Sequence, residues 1–505
     1  MDLDTLLQFE WSLMAPEFTI LIVATVLSLL DLFLRKEVNR NHFAWLAMGG
    51  IALSFVFLLS QLGHESSMIL FDTYRFDPFS ISFKFVLLAG TFLVLLLSHS
   101  YKEAGEGGYR GEFYYLILIA LLGGMMMASS ADLITLFVGL EMLAIPSYIL
   151  AGIQKRSTRS NESAMKYIIN GGISTAITLF GFSYIYGLTG STQLNVIAQN
   201  LSNITQSSAE GLAIMAFLIT FVGLAFKIST VPFYMWTPDV YEGSPTPVTA
   251  FLSVVSKAAG FIIILRVFMS IFGGIAGIRL NETFLESMII FIGVLASLTM
   301  IIGNTIALRQ RNMKRLLAYS SIAHAGYLLV PFVALSPMAF ESMWFYMIAY
   351  MFMTLGAFAV LQVLIRQSES EDLSIFSGLF HRSPGLAILM TIFLLSLAGI
   401  PGTAGFIGKL NIFLGALFTE PGNFTLVAIM LIATVISYIY YFGIFIQMFF
   451  RHAEFQTRIR LPKSISAVLV ICAAGTIILG VLPGTLLDFY HQHIDFNELT
   501  GSLWK

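Results

Sequence analysis

Apolar runs about as long as a lipid bilayer is thick recur from one end of this chain to the other. A helix rises about 1.5 Å per residue, so crossing a hydrocarbon core of about 30 Å takes roughly 20 apolar residues. Runs of that kind lie near 15–34, 43–62, 79–99, 113–129, 132–152, 164–187, 211–236, 246–270, 285–306, 316–334, 341–365, 385–416, 424–450 and 465–486. Backbone inside lipid finds no water, so each run must satisfy its own peptide groups as a helix. The pattern predicts an all-α polytopic membrane protein of about fourteen transmembrane helices. Two of the long runs are interrupted, the seventh by Pro232 and the twelfth by Gly399-Ile-Pro-Gly, which holds Pro401.

Composition enters as a check on the solvent. Of 505 residues, 57% are hydrophobic and 11% charged, where soluble chains run nearer about 25% charged. A net charge of −2 leaves no basic excess for nucleic acid. One cysteine, Cys472, cannot form an internal disulfide, hold an iron–sulfur cluster or build a cysteine zinc site. The acidic start, Met-Asp-Leu-Asp, argues against reading the first apolar run as a signal peptide.

Loop charges set the orientation. Loops after odd-numbered runs hold Arg35, Lys36, Arg40, Lys102, Arg110, Lys155, Arg156, Arg159, Arg309, Arg311, Lys314, Arg315, Arg366, Arg382, Arg451, Arg458, Arg460 and Lys463. The other side holds only Arg75, Arg279 and Lys505. Basic loops stay in the cytoplasm, so both termini are expected on the opposite side.

Eight ionisable residues fall inside or at the edges of the runs: Lys84, Glu141, Lys166, Lys227, Lys257, Arg266, His324 and Lys409. Such groups are expensive in hydrocarbon and mark functional candidates. Glu141 lies mid-run; it either ties two helices together or takes part in proton chemistry, and a Ser or Asn would do the first at lower cost. Lys227 precedes Pro232, which has no N–H for the Ile228 carbonyl. A broken helix beside a charge is how many transporters build a midplane site. Lys257 sits among Ser253, Ser256, Ala258 and Gly260, a face suited to protein and water. Lys409 follows the second break and loosely echoes Lys227. His324, beside Ser320 and Ser321, fits either a hydrogen-bonded core residue or a hydrated path. Lys166 reads as a proton-uptake group or an interface anchor, Arg266 as a snorkelling residue or a structural pair, and Lys84 as an interface residue.

The two breaks lie 169 residues apart, a fair period for two five-helix units. Five is odd, so consecutive units would have inverted topology. The division expected is 1–112 for three added helices, 113–270 and 271–450 for the repeats, and 451–505 for a last helix.

The run from Lys227-Ile-Ser-Thr-Val-Pro through Trp236-Thr-Pro-Asp-Val-Tyr-Glu-Gly-Ser-Pro resembles the antiporter-like membrane subunits of proton-pumping NADH:quinone oxidoreductase, respiratory complex I. Tyr319-Ser-Ser-Ile-Ala-His-Ala-Gly-Tyr and Gly399-Ile-Pro-Gly-Thr-Ala-Gly-Phe-Ile-Gly-Lys match as well. Within that family the Trp-Thr-Pro-Asp-Val-Tyr form resembles the subunit N branch. Sister subunits and Mrp-type cation/proton antiporters carry a Leu-Pro-Asp-Ala-His form, and subunit M has a glutamate where Lys409 stands. The resemblance covers nearly the whole chain. It implies two inverted five-helix repeats and a proton path in which Glu141 pairs with Lys227, and Lys257, Lys166, His324 and Lys409 carry protons. It also implies translocation driven by NADH oxidation and quinone reduction elsewhere, with no cofactor on this chain and flavin and iron–sulfur centres on other subunits. The implied partners are subunits M, J and K in a bacterial plasma membrane. A subunit of an Mrp-type antiporter is the alternative.

Overall fold

The computed structural model describes residues 9–35, 40–101, 111–204, 210–273, 284–419, 422–452, 459 and 461–493. Lys36, Lys102, Arg110, Arg279, Arg458, Arg460 and Lys505, used above for orientation, lie outside the described residues.

Among the described residues, thirteen helices are long and apolar enough to cross a membrane: Trp11–Phe33, Asn41–Ser60, Pro78–Ser98, Glu112–Ser129, Leu133–Ala151, Thr158–Thr189, Gly211–Ile228, Thr246–Phe272, Phe284–Ala307, Met313–Ala334, Pro337–Ser368, Phe424–Phe450 and Lys463–Val481. Two shorter apolar helices, Pro384–Ala398 and Ala404–Leu417, stand in the twelfth place and together make one broken span. We number the spans 1–14 in this order. The sixth begins at Thr158, earlier than its apolar stretch, because Ser157 caps it by accepting from the Ser160 N–H.

Loop contacts follow the alternation that an even number of crossings requires. The connection after span 2 folds into a hairpin, Ser67–Ile69 against Tyr74–Phe76. Tyr74 bridges to Ser130 after span 4, and Asp132 to Gln193 after span 6. On the opposite face, Met313 N–H donates to Glu371 O and Leu373 N–H to Arg311 O, joining the connections after spans 9 and 11.

Spans 8 and 10 are enclosed on all sides by protein. Spans 1, 2 and 13 turn large apolar side chains outward, among them Ile22, Phe33, Val56, Ile432 and Ile439. With lipid as apolar as leucine, helix association depends on close packing of small residues. A Cβ on Gly123 of span 4 would sit 2.6 Å from the Gly139 carbonyl of span 5, and one on Gly303 of span 9 would sit 2.7 Å from the Ala323 nitrogen of span 10. Spans 4 and 5, and spans 9 and 10, thus meet on glycine.

Span 7 breaks earlier than its proline implies. The helix Glu210–Lys227 stops five residues before Pro232, and Trp236–Gly243 resumes it. Side chains and the returning chain take up the freed carbonyls. Ala225 O accepts from Thr230 N–H, and Phe226 O accepts from Ser229 N–H and from the Trp236 indole at 3.2 Å. Val231 N–H donates to Thr299 Oγ1 of span 9. The break thus occupies 228–235 and has its own bonding, beyond the N–H that Pro232 denies the Ile228 carbonyl.

Candidate functional site

Lys227 is the last residue of the first half of span 7, and is buried. Gly260 of span 8 makes room for it; a Cβ there would come within 3.3 Å of Lys227 Cβ. Its Nζ lies 3.5 Å from the Tyr148 hydroxyl and above that ring at 5.6 Å. Glu141 stands two turns before Tyr148 on span 5, half-buried, and accepts from Thr175 Oγ1 of span 6 at 2.8 Å. Glu141 and Lys227 share this neighbourhood, but no ion pair joins them directly; Tyr148 is the group on Lys227.

Lys257 directly follows a π-turn, Leu252–Ser256, inside span 8. Such wide turns free backbone groups and cluster at functional sites. Its ammonium donates to Ser321 O at 2.8 Å and to the Ser321 hydroxyl. One turn along span 10, His324 Nδ1 lies 2.5 Å from the Tyr346 hydroxyl and Nε2 3.3 Å from that of Tyr441. Tyr441 in turn meets Ser320 at 2.5 Å, and Tyr350, whose ring lies 5.1 Å from the histidine, bonds Ser253 at 3.0 Å.

Lys409 caps the half-helix that ends at the second break. Its Nζ donates to Leu397 O at 2.9 Å and Ala398 O at 3.2 Å. Those carbonyls form the negative end of Pro384–Ala398, where a cation is stabilised. The Tyr327 ring lies 4.8 Å below. Gly399 has φ of +84°, which lets the chain turn away at this point; a Cβ there would lie 3.0 Å from Lys409 Cδ.

Lys166 stands apart from this central line. It lies on the face of the basic loops, its side chain 40% exposed, bridging Asp239 at 2.6 Å and Glu162 at 2.7 Å.

The family model described as NADH:quinone oxidoreductase/Mrp antiporter, TM, matches residues 130–437, which include Glu141, Lys166, Lys227, Lys257, His324 and Lys409. A protein of Geobacillus sp. (strain WCH70) called NADH-quinone oxidoreductase subunit N is 58% identical over 490 residues, 97% of this chain and 100% of its own length. The chain belongs to the subunit N family of NADH-quinone oxidoreductase. The subunit N protein of Bacillus anthracis is 52% identical over 98% of this chain and 97% of its own. Among solved structures, a chain of respiratory complex I from Thermus thermophilus with bound aureothin superposes with a TM-score of 0.77 at 31% identity, covering 94% of this chain and 98% of that one. A chain of the Mrp complex from Dietzia sp. DQ12-45-1b reaches 0.82 at 18% identity, covering 98% and 100%; it shares the fold.

Two intramembrane cations have partners that single out neither lipid nor the central line. Lys84 is fully buried, 2.6 Å from Glu17 Oε1 of span 1, and donates to Tyr74 at 2.9 Å. The interface reading of Lys84 is overturned: its head turns inward to a carboxylate on another helix. Arg266 takes the structural pair of its two readings. It forks onto Asp77 at 2.6 and 2.8 Å and also donates to Ala128 O. Asp77 caps span 3 as well, accepting from Ser80 N–H, so one carboxylate fastens span 3 to span 8.

Sequence reasoning missed the tyrosines. Tyr148, Tyr327, Tyr346, Tyr350 and Tyr441 supply hydroxyls or rings between the charged groups, and in sequence they look like ordinary aromatic core. It also missed Asp239, which holds Lys166 on one oxygen and Arg315 of span 10 on the other at 2.7 Å. Arg315 reaches Glu242 at 2.9 Å, and Lys314 reaches Glu371 at 2.7 Å. The legible signal was the charge of Trp236-Thr-Pro-Asp-Val-Tyr-Glu opposite the Lys314-Arg315 loop.

Proposed function

We propose that this chain is a proton-translocating membrane subunit of NADH:quinone oxidoreductase, and that Glu141, Lys227, Lys257, His324 and Lys409 carry the proton path, with Lys166 at its cytoplasmic mouth. One observation supports this most. From Glu141 to His324 each ionisable group of the line meets a hydroxyl on a neighbouring helix, and Lys409 beyond them sits on the carbonyls of Leu397 and Ala398.

The chemistry needed is gain and loss of a proton by an amine held away from water. Burial favours the neutral amine, and a nearby carboxylate favours the ammonium. Weakening the influence of Glu141 on Lys227 therefore frees a proton for Lys257, and its arrival at Lys257 favours onward movement past His324 to Lys409. Water must complete the wire where side chains do not touch. Energy comes from NADH oxidation and quinone reduction, with flavin and iron–sulfur centres on partner subunits.

The repeat units proposed are residues 113–270 and 271–450, flanked by 1–112 and 451–505. The proposed setting is a bacterial plasma membrane with both termini on the non-cytoplasmic side, next to sister subunit M and small subunits J and K. The deciding experiment replaces Lys227 by alanine in the assembled complex and follows proton uptake into vesicles during NADH oxidation. Loss of pumping with the complex intact supports the proposal; full pumping leaves this chain a scaffold. Sodium-driven transport without electron donors would favour the Mrp-type alternative.

A further inference from the structure

We propose that Thr175 and Tyr148 form a hydroxyl bridge through which the Glu141 carboxylate acts on the Lys227 ammonium, so that the pair communicates across two side chains instead of touching. This rests on the reading of Glu141 and Lys227 as proton-handling groups.

Glu141 and Tyr148 are seven residues apart on span 5, about two turns, and share one stripe of the helix. Thr175 of span 6 donates to Glu141 Oε1 at 2.8 Å, and Gly171, one turn before it on the same span, lies against the Tyr148 hydroxyl. Lys227 Nζ approaches that same hydroxyl from span 7. Three spans therefore deliver carboxylate, hydroxyl, hydroxyl and ammonium in order.

The surroundings hold this order. Tyr148 packs edge-on against Tyr167 at 4.7 Å, and Tyr167 stacks on Trp236 at 4.6 Å with an interplanar angle of 6°. Trp236 donates to the Phe226 carbonyl, immediately before Lys227. The tyrosine and the lysine it meets are thus positioned through one aromatic stack. Space for the hydroxyl comes from Gly171 of span 6, where a Cβ would lie 2.1 Å from the Tyr148 oxygen. Gly172 beside it faces open space.

A hydroxyl donates one hydrogen bond and accepts others. With Lys227 charged, the ammonium donates to Tyr148 and Thr175 donates to Glu141; the Tyr148 hydroxyl, left to donate, turns toward Thr175 to close the proposed bridge. A neutral amine can instead accept from Tyr148, which takes that donor away from Thr175. Rotation of two hydroxyls, with no proton lost, reports the charge of Lys227 to Glu141 and the reverse. Tyr148 and Thr175 are positioning residues in this scheme.

The test compares Thr175→Val, Thr175→Ser, Tyr148→Phe, their Thr175→Val/Tyr148→Phe combination and Glu141→Gln in the whole complex in vesicles. Assembly, pumping and the pH profile of pumping are read together. Thr175→Val and Tyr148→Phe should each lower pumping about tenfold, the scale of a hydrogen bond beside a charge, and shift the pH profile. Thr175→Ser should restore pumping. The combined variant should be no worse than either single change, because both cut one chain. Parent-like pumping in Thr175→Val and Tyr148→Phe, while Glu141→Gln loses it, overturns the bridge alone. Parent-like pumping in Glu141→Gln overturns the underlying reading and the bridge with it. If Thr175→Val fails to assemble, the Thr175→Ser and Tyr148→Phe pair decides by the same criteria.

Discussion

Replacing Lys84 by methionine removes an ammonium held 2.6 Å from Glu17 and 2.9 Å from the Tyr74 hydroxyl. Lys84 is 0% exposed and Glu17 2%. In the variant, Glu17 keeps one strong donor, Tyr74, on Oε1 at 3.0 Å, while Oε2 has no hydrogen-bond partner even in the parent. Removing one member of a buried pair costs about 3–5 kcal/mol, because the other charge is left unanswered. The orphan oxygen places this site in the upper part of that range. Replacing both members, Glu17→Gln with Lys84→Met, removes the unanswered charge and should recover most of the loss, giving a coupling of about 2–3 kcal/mol. The assay is heat inactivation of the solubilised complex, alongside the amount of chain retained in membranes, for both single variants and the double. The double variant should pump at the parent rate, since the cluster lies off the line from Glu141 to Lys409. A Lys84→Met complex as heat-stable as the parent would refute the reasoning, and so would a double variant as fragile as the single.

Lys409→Met should abolish most pumping while Lys409→Arg keeps part of it, because the carbonyls of Leu397 and Ala398 hold a cation at the helix end; vesicle acidification during NADH oxidation checks this. Gly123→Ala should cut the amount of assembled complex severely, since the new methyl group meets backbone of span 5, whereas Gly187→Ala meets nothing and should assemble normally; native gels separate the two. Asp239→Asn should assemble, because its ion pairs are partly exposed and worth no more than about 1 kcal/mol each, yet pump severalfold more slowly by releasing Lys166 and Arg315.

Span positions were legible because lipid imposes one length and one polarity on every crossing. Pro232 and Pro401 marked the neighbourhoods of both breaks. The true end of the first half-helix, at Lys227, was hidden because it depends on the Trp236 indole and Thr230 turning back to carbonyls the sequence shows only as Ala and Phe. The buried lysines announced themselves by their cost in hydrocarbon, yet cost alone could not sort them. Lys84 and Lys257 look alike in sequence; one meets a glutamate 67 positions earlier and the other a serine 64 positions later. Partners at that range are set by helix packing, and so are the tyrosine hydroxyls between the charges.

The ion pairs of Asp239 have a mechanical consequence. The half-helix Trp236–Gly243 is the second part of span 7, and Arg315 opens span 10. Asp239 and Glu242 both grip that arginine, and Lys314 donates to the Ser244 carbonyl just beyond. Deeper in, Lys257 of span 8 holds Ser321 of span 10. A transporter that rocks one half against the other needs a seam able to slip; here such a slip would have to break polar contacts at two depths. Rotation of hydroxyls and filling of gaps with water would carry a proton past these contacts without breaking any of them.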